Sequence, residues 1–115
     1  MSIQRTGVGP RMSNAVVHGD TIYLAGQVAD STAKDVKGQT AEVLAKIEAA
    51  LSSVGSDKTK ILSATIYLSN IGSFADMNSV WDGWVAQGNT PARTTVEARL
   101  AAPGYLVEIT VVAAK

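Results

Sequence analysis

Apolar and polar positions alternate at two periods along this chain, and the switches between them mark its elements. Ala15 to His18 and Thr21 to Ala25 are β-prone runs separated only by Gly19-Asp20, and glycine first in a two-residue loop predicts a hairpin with a type II′ turn. Gly26-Gln27 interrupts that pattern, and Asp30 to Gly38 reads as a polar loop. From Gln39 to Val54 the residues Val43, Leu44, Ile47, Leu51 and Val54 recur at helical spacing, with Gly55 where a helix ends. Ile61 to Leu68 alternates again, placing Leu62, Ala64, Ile66 and Leu68 on one face of a strand. Ser73 followed by Asp76 resembles a capping box, and Phe74, Met77, Trp81 and Trp84 form the stripe of a second helix that ends by Gly88. Pro91 stops it, and Arg93, Thr95, Glu97 and Arg99 then alternate with Thr94, Val96, Ala98 and Leu100 as a strand. Pro103-Gly104 suits a type II turn, and Leu106 to Ala113 closes the chain as a β-branched strand.

The expected fold is therefore α+β, in the order β-β-α-β-α-β-β. A single mixed sheet carries both helices on one face, and its other face is left for some further surface to bury. Residues 1–115 are read as one domain, small enough that association with copies of itself is expected.

Composition narrows the chemistry. Ten basic side chains balance ten acidic ones and are scattered, so nucleic acid is an unlikely partner. With no cysteine and a single His18, thiol chemistry and a Cys- or His-built metal site are not expected. No apolar run is long enough for a membrane helix, which makes a cytoplasmic protein the expectation. His18, beside the hairpin turn with no partner nearby in sequence, reads as surface, and Trp81 and Trp84 read as core rather than as a stacking platform.

What remains is Arg93 and Glu108. A tight Pro103-Gly104 hairpin pairs Ala102 with Tyr105 and sets Glu108 across from Arg99, with Arg93 farther along the same face. Two readings stay open. In one, Glu108 and Arg99 are an ordinary cross-strand ion pair and Arg93 is a solvated charge. In the other, Arg93 grips a substrate carboxylate through two parallel hydrogen bonds while Glu108 positions or deprotonates water. Arginine rather than lysine at position 93, and a glutamate interrupting an apolar strand, favour the second.

The runs PARTTVEARL, LVEI, AVVHGDTIYLAGQV and ATIYLSNIGSFADMNSVWDGW together resemble the reactive intermediate deaminase (Rid) family, the YjgF-type imine deaminases, over nearly the whole chain. The resemblance implies a chorismate-mutase-like fold and a homotrimer with clefts between subunits. It implies cofactor-free hydrolysis of 2-aminoacrylate-type enamines and imines to 2-oxo acids and ammonia. On it, Arg93 matches the carboxylate-binding arginine, Glu108 the glutamate that handles water, and Gly26 the loop that lines the cleft. Thr95 stands where many relatives carry cysteine, and a threonine hydroxyl without a base does not indicate a covalent route. Arg11 stands where many carry an aromatic residue, offering a second anion contact or only a solvated charge. Tyr105, beside the turn, is a further candidate for substrate or subunit contact, the alternative being that it only caps the hairpin. The alternative function is a non-catalytic trimeric binder or sensor of small carboxylates such as 2-oxo acids. Ribonuclease or translation-inhibitor activity, reported for some relatives, fits the neutral charge poorly.

Overall fold

The computed structural model describes residues 2–115 and has the element order β1 (Ile3–Thr6), β2 (Ala15–His18), β3 (Thr21–Leu24), α1 (Val36–Ser53), β4 (Ile61–Leu68), α2 (Phe74–Trp84), β5 (Ala92–Glu97) and β6 (Val107–Ala114), with single 3-10 turns before β4 and α2. One six-stranded sheet runs β1-β2-β3-β6-β4-β5. Every neighbouring pair is antiparallel except β4 and β5, which are joined through α2 and run parallel. The molecule measures 43 × 38 × 20 Å, and its thin dimension is that of one helix layer on one sheet layer, each about 10 Å deep.

Residues paired across neighbouring strands share a face, so the register sorts the sheet cleanly. Ala15, Val17, Ile22, Leu24, Ala64, Ile66, Leu68, Val107, Ile109, Val111 and Ala113 point under the helices and are buried. Tyr23, Val112, Thr65, Thr110, Tyr67 and Val96 lie on the other face, which no helix covers; Tyr23 is 49% and Val96 40% exposed. The expected mixed sheet with an uncovered side is what the chain forms.

Several expectations need correction. β1 is an added edge strand; Gln4 and Arg5 hide any apolar alternation, and pairing with β2 supplies what the pattern does not. Helix α1 begins at Val36 inside the expected loop, because the Asp35 carboxylate accepts the Gly38 N–H at 2.9 Å and caps it. Leu62 sits at a register irregularity between β4 and β6, so Ile61 takes the inward place and Leu62 is 53% exposed. Ser73 makes no side-chain cap, and α2 stops at Trp84 rather than near Gly88, with Val85 already extended.

The largest correction concerns the last two strands. β5 ends at Glu97, before Arg99, and β4 lies between it and β6. Tyr105 N–H does donate to Ala102 O at 3.2 Å, but Gly104 lacks the positive φ of a type II turn and no hairpin follows. Glu108 pairs with Tyr67, not Arg99. The apolar alternation of β4 explains this: its inward residues need flanking strands on both sides to complete the buried layer, and β6 and β5 supply them.

Candidate functional site

Arg93 is the second residue of edge strand β5 and pairs with Ala64, which turns its side chain toward the helix layer. There Phe74, Asn78 and Trp81 recur at i, i+4 and i+7 along one face of α2. Arg93 Nη1 donates to Asn78 Oδ1 at 2.8 Å, and the guanidinium carbon lies 5.3 Å from the Trp81 ring centre and 5.8 Å from that of Phe74. Two aromatic faces and one amide thus hold the fork in place. Among the described residues no carboxylate comes within 4 Å of it, while Lys34, Lys46 and Lys58 are all paired. Thr95, two residues on and on the same face, has a buried Oγ1 with no hydrogen-bond partner among the described residues. Arg93 and Thr95 therefore present spare hydrogen-bonding capacity side by side.

Glu108 is elsewhere. Its neighbours Val107 and Ile109 point into the core, so its own side chain stands on the uncovered face beside Tyr67 and Thr110. A cavity of about 430 Å³ opens there, lined by Gly26, Tyr67, residues 98–101, Glu108 and Thr110; it is more than ten times the roughly 30 Å³ share of one water. Arg99, exposed beyond the end of β5, lines it too, yet forms no ion pair with Glu108. A larger cavity of about 770 Å³ adjoins it at Arg99 and Leu100 and takes in Ser69, Glu97 and Tyr105. The expected pairing of Glu108 with Arg99 and the shared face of Arg93 and Glu108 are both overturned: within one chain these two groups lie on opposite sides of the sheet.

Gly26 lies against the Glu108 side chain, and Arg11 hangs from the exposed loop between β1 and β2, where Gly9 N–H closes a turn onto Met12 O at 2.8 Å. That loop reaches the Gly26 end of the sheet, since Ala25 N–H donates to Asn14 O at 2.9 Å. So Gly26 and Glu108 line one cavity with Tyr105 in the one adjoining it, Arg11 lies on the exposed β1–β2 loop and lines neither, and Arg93 and Thr95 occupy the α2 side of the edge strand.

Sequence reasoning missed the residues that hold these groups. Asn78, which orients Arg93, lies between aromatic positions of the α2 stripe. Gln27 exchanges backbone hydrogen bonds with Ile109 and donates its side-chain amide to Asn14 and Ala25 O. Gln39, fully buried, donates to Lys34 O and Gly104 O and accepts from Leu106 N–H, clasping the segment that leads into β6. The available signal was Gln39 falling four residues before Val43 on the apolar stripe of α1, where an amide needs partners. Among the described residues no cluster of three or more His, Cys, Asp or Glu is placed to hold a metal ion, and no helix is long and apolar enough to cross a membrane.

Comparison with known proteins bears on what such an arrangement is. The family model described as Endoribonuclease L-PSP matches residues 4–115. The chain is 46% identical over 114 residues to the RutC family protein YoaB of Escherichia coli K12, covering 99% of each. The chain belongs to the YjgF/Rid family. A crystal structure of a YjgF family member from Neisseria meningitidis superimposes with a TM-score of 0.97 at 49% identity, covering 100% of this chain and 96% of that one. A Rid family protein from Yersinia pestis, YyfA, gives 0.87 at 32% identity over 94% and 90% of the two chains. The six-stranded sheet with two helices on one face is thus the YjgF/Rid fold, and the resemblance read from the arginine and glutamate motifs holds at the level of the family.

Proposed function

We propose that this protein is an imine deaminase that hydrolyses 2-aminoacrylate-type imino acids to 2-oxo acids and ammonia. The observation that carries the reading is Arg93: a guanidinium within about 6 Å of the Trp81 and Phe74 ring centres, held at one corner by Asn78, with no carboxylate partner among the described residues. Such a fork suits a planar carboxylate, which it can meet with two parallel hydrogen bonds. The unpartnered Thr95 Oγ1 beside it supplies a further contact.

Because Arg93 and Glu108 face away from each other in one chain, the working site is assigned to two chains of a homotrimer, Arg93 from one and Glu108 from its neighbour. The uncovered sheet face and the free edge of β5 support such an assembly. The enamine first tautomerises to the 2-imino acid, whose carboxylate Arg93 fixes. Glu108 accepts a proton from water as the water oxygen bonds to the imine carbon and the imine nitrogen takes a proton from solvent. The resulting carbinolamine collapses: Glu108 returns its proton to the amine nitrogen, the C–N bond breaks to release ammonia, the hydroxyl proton passes to solvent, and the 2-oxo acid remains. Neither redox chemistry nor a cofactor is required. Orientation and general acid-base help of about 10²-fold each suffice against a reaction that water already performs.

The test is pyruvate release above the spontaneous rate when 2-aminoacrylate is generated by a pyridoxal-phosphate dehydratase. Wild type should accelerate release, and Arg93→Ala and Glu108→Gln should each return it to background while staying folded. Undiminished activity in Arg93→Ala overturns the assignment. A wild type that binds pyruvate without accelerating release makes the protein a carboxylate binder instead. The family description names a ribonuclease, but ten basic and ten acidic side chains and one exposed histidine offer RNA little to hold.

A further inference from the structure

Building on the deaminase reading, we infer that Gly26 is a positioning residue for Glu108: the side chain it lacks is the space in which the Glu108 carboxylate rests. A Cβ built on Gly26 overlaps Glu108 Oε2, which must therefore move, and falls 3.0 Å from Cδ and 3.3 Å from Cγ, closer than most side-chain contacts. Backbone conformation does not call for glycine there, since the positive-φ glycines are Gly7, Gly19, Gly55 and Gly88. The need is for room.

The seat is rigid and its occupant is not. Ala25 N–H is bonded to Asn14 O at 2.9 Å, and Gln27 and Ile109 exchange N–H···O bonds of 2.8 and 3.1 Å, so the backbone on both sides of Gly26 is tied to its neighbours. Ile109 adjoins Glu108, and the same pair of bonds fixes the base of the glutamate. Its carboxylate, by contrast, accepts no hydrogen bond and joins no ion pair among the described residues; contact with Gly26 and the cross-strand neighbour Tyr67 sets where it points. A methyl at position 26 therefore leaves the fold intact and drives the far end of Glu108 into another rotamer, away from the place where water must lie.

A displaced base loses rate rather than affinity, because Arg93 still holds the substrate. Gly26→Ala should keep the wild-type melting transition and assembly, lower kcat for 2-aminoacrylate hydrolysis by about 10-fold to 10²-fold, and leave KM within about 2-fold. The decisive variant is Gly26→Ala in the Glu108→Asp background, where the shorter side chain withdraws from Gly26 but keeps a carboxyl and a measurable residual rate. If glycine acts by making room for the glutamate, Gly26→Ala costs the Asp protein little further rate; if Gly26 acts through its own backbone, the two losses multiply and the inference is overturned. Full kcat in the folded Gly26→Ala protein overturns it equally. A wild type without deaminase activity defeats the functional reading but not this one, which is then decided by NMR. A nuclear Overhauser contact between Gly26 Hα and Glu108 Hγ, lost in Gly26→Ala, supports the seat, and its absence from the wild type refutes it.

Discussion

If catalysis needs Arg93 and Glu108 together, and one chain points them to opposite sides of its sheet, then neither variant alone can be rescued by its own partner group, but two different dead variants can rescue each other. The experiment mixes Arg93→Ala with Glu108→Gln after unfolding and refolding in equal amounts, so that subunits assort at random. A site is intact where a chain that keeps Arg93 precedes a chain that keeps Glu108 around the ring. With equal mixing each neighbour pair has that order in one case out of four, whatever the size of the closed ring, so about 25% of wild-type activity should return from two inactive preparations. The assay is 2-aminoacrylate-dependent pyruvate release, with each variant refolded alone as the blank. The register makes the forecast sharp, because Arg93 pairs with Ala64 on the helix-covered face and Glu108 with Tyr67 on the uncovered one. Activity that stays at the blank in mixtures shown by mass spectrometry to contain mixed oligomers refutes the two-chain site.

Further outcomes follow from individual contacts. Arg93→Lys keeps the charge but not the fork, and kcat/KM in the same assay should fall by about 10²-fold. Asn78→Ala frees one corner of the guanidinium and should raise KM more than it lowers kcat, whereas unchanged kinetics would show that the two rings suffice. Gln39→Leu strands the Leu106 N–H and two carbonyls, and urea unfolding should report a loss of about 2–4 kcal/mol. Lys46 lowers the Asp30 pKa through a hydrogen bond and its charge, and Lys34 does the same to Glu42, which also accepts the Asp30 N–H. Carboxylates held below their unfolded values stabilise above the usual carboxylate range and lose that contribution as pH falls through and below it. Amide exchange in residues 28–35 should then rise, after correction for intrinsic rates, under acid before β4 and β6 loosen. Protection that disappears together everywhere would show that these pairs do not tether the loop.

How much of this was readable in advance depended on what each residue answers to. The stripe Val43, Leu44, Ile47, Leu51 is a property of α1 alone, and it placed that helix correctly, just as Met77 and Trp81 placed α2. Glu108 stood out in sequence as a polar residue in an apolar strand, and the register places it at an outward position of β6. Its partner did not stand out, because a short connection between two β-like segments normally means a hairpin, and nothing local reveals that β4 will insert between them. The same blindness hid β1, whose only reason to be a strand is the free edge of β2. Asn78, Gln27 and Gln39 look unremarkable in sequence because their roles lie in contacts made across the fold.

The misplaced hairpin matters beyond bookkeeping of elements. Had β5 and β6 been neighbours, an arginine and a glutamate facing the same way could have neutralised each other, and the fork would have been spent on an internal ion pair. With β4 between the strands and the two residues out of phase, each lacks an oppositely charged partner among the described residues: Arg93 steadied by Trp81 and Phe74 on one side, Glu108 laid over Gly26 on the other. An unpaired cation and an unpaired anion on opposite faces of one sheet cannot quench one another inside the chain. In the proposed trimer they would meet across a ligand instead, and that separation is the physical reason the proposal places the site in the assembly rather than in the subunit.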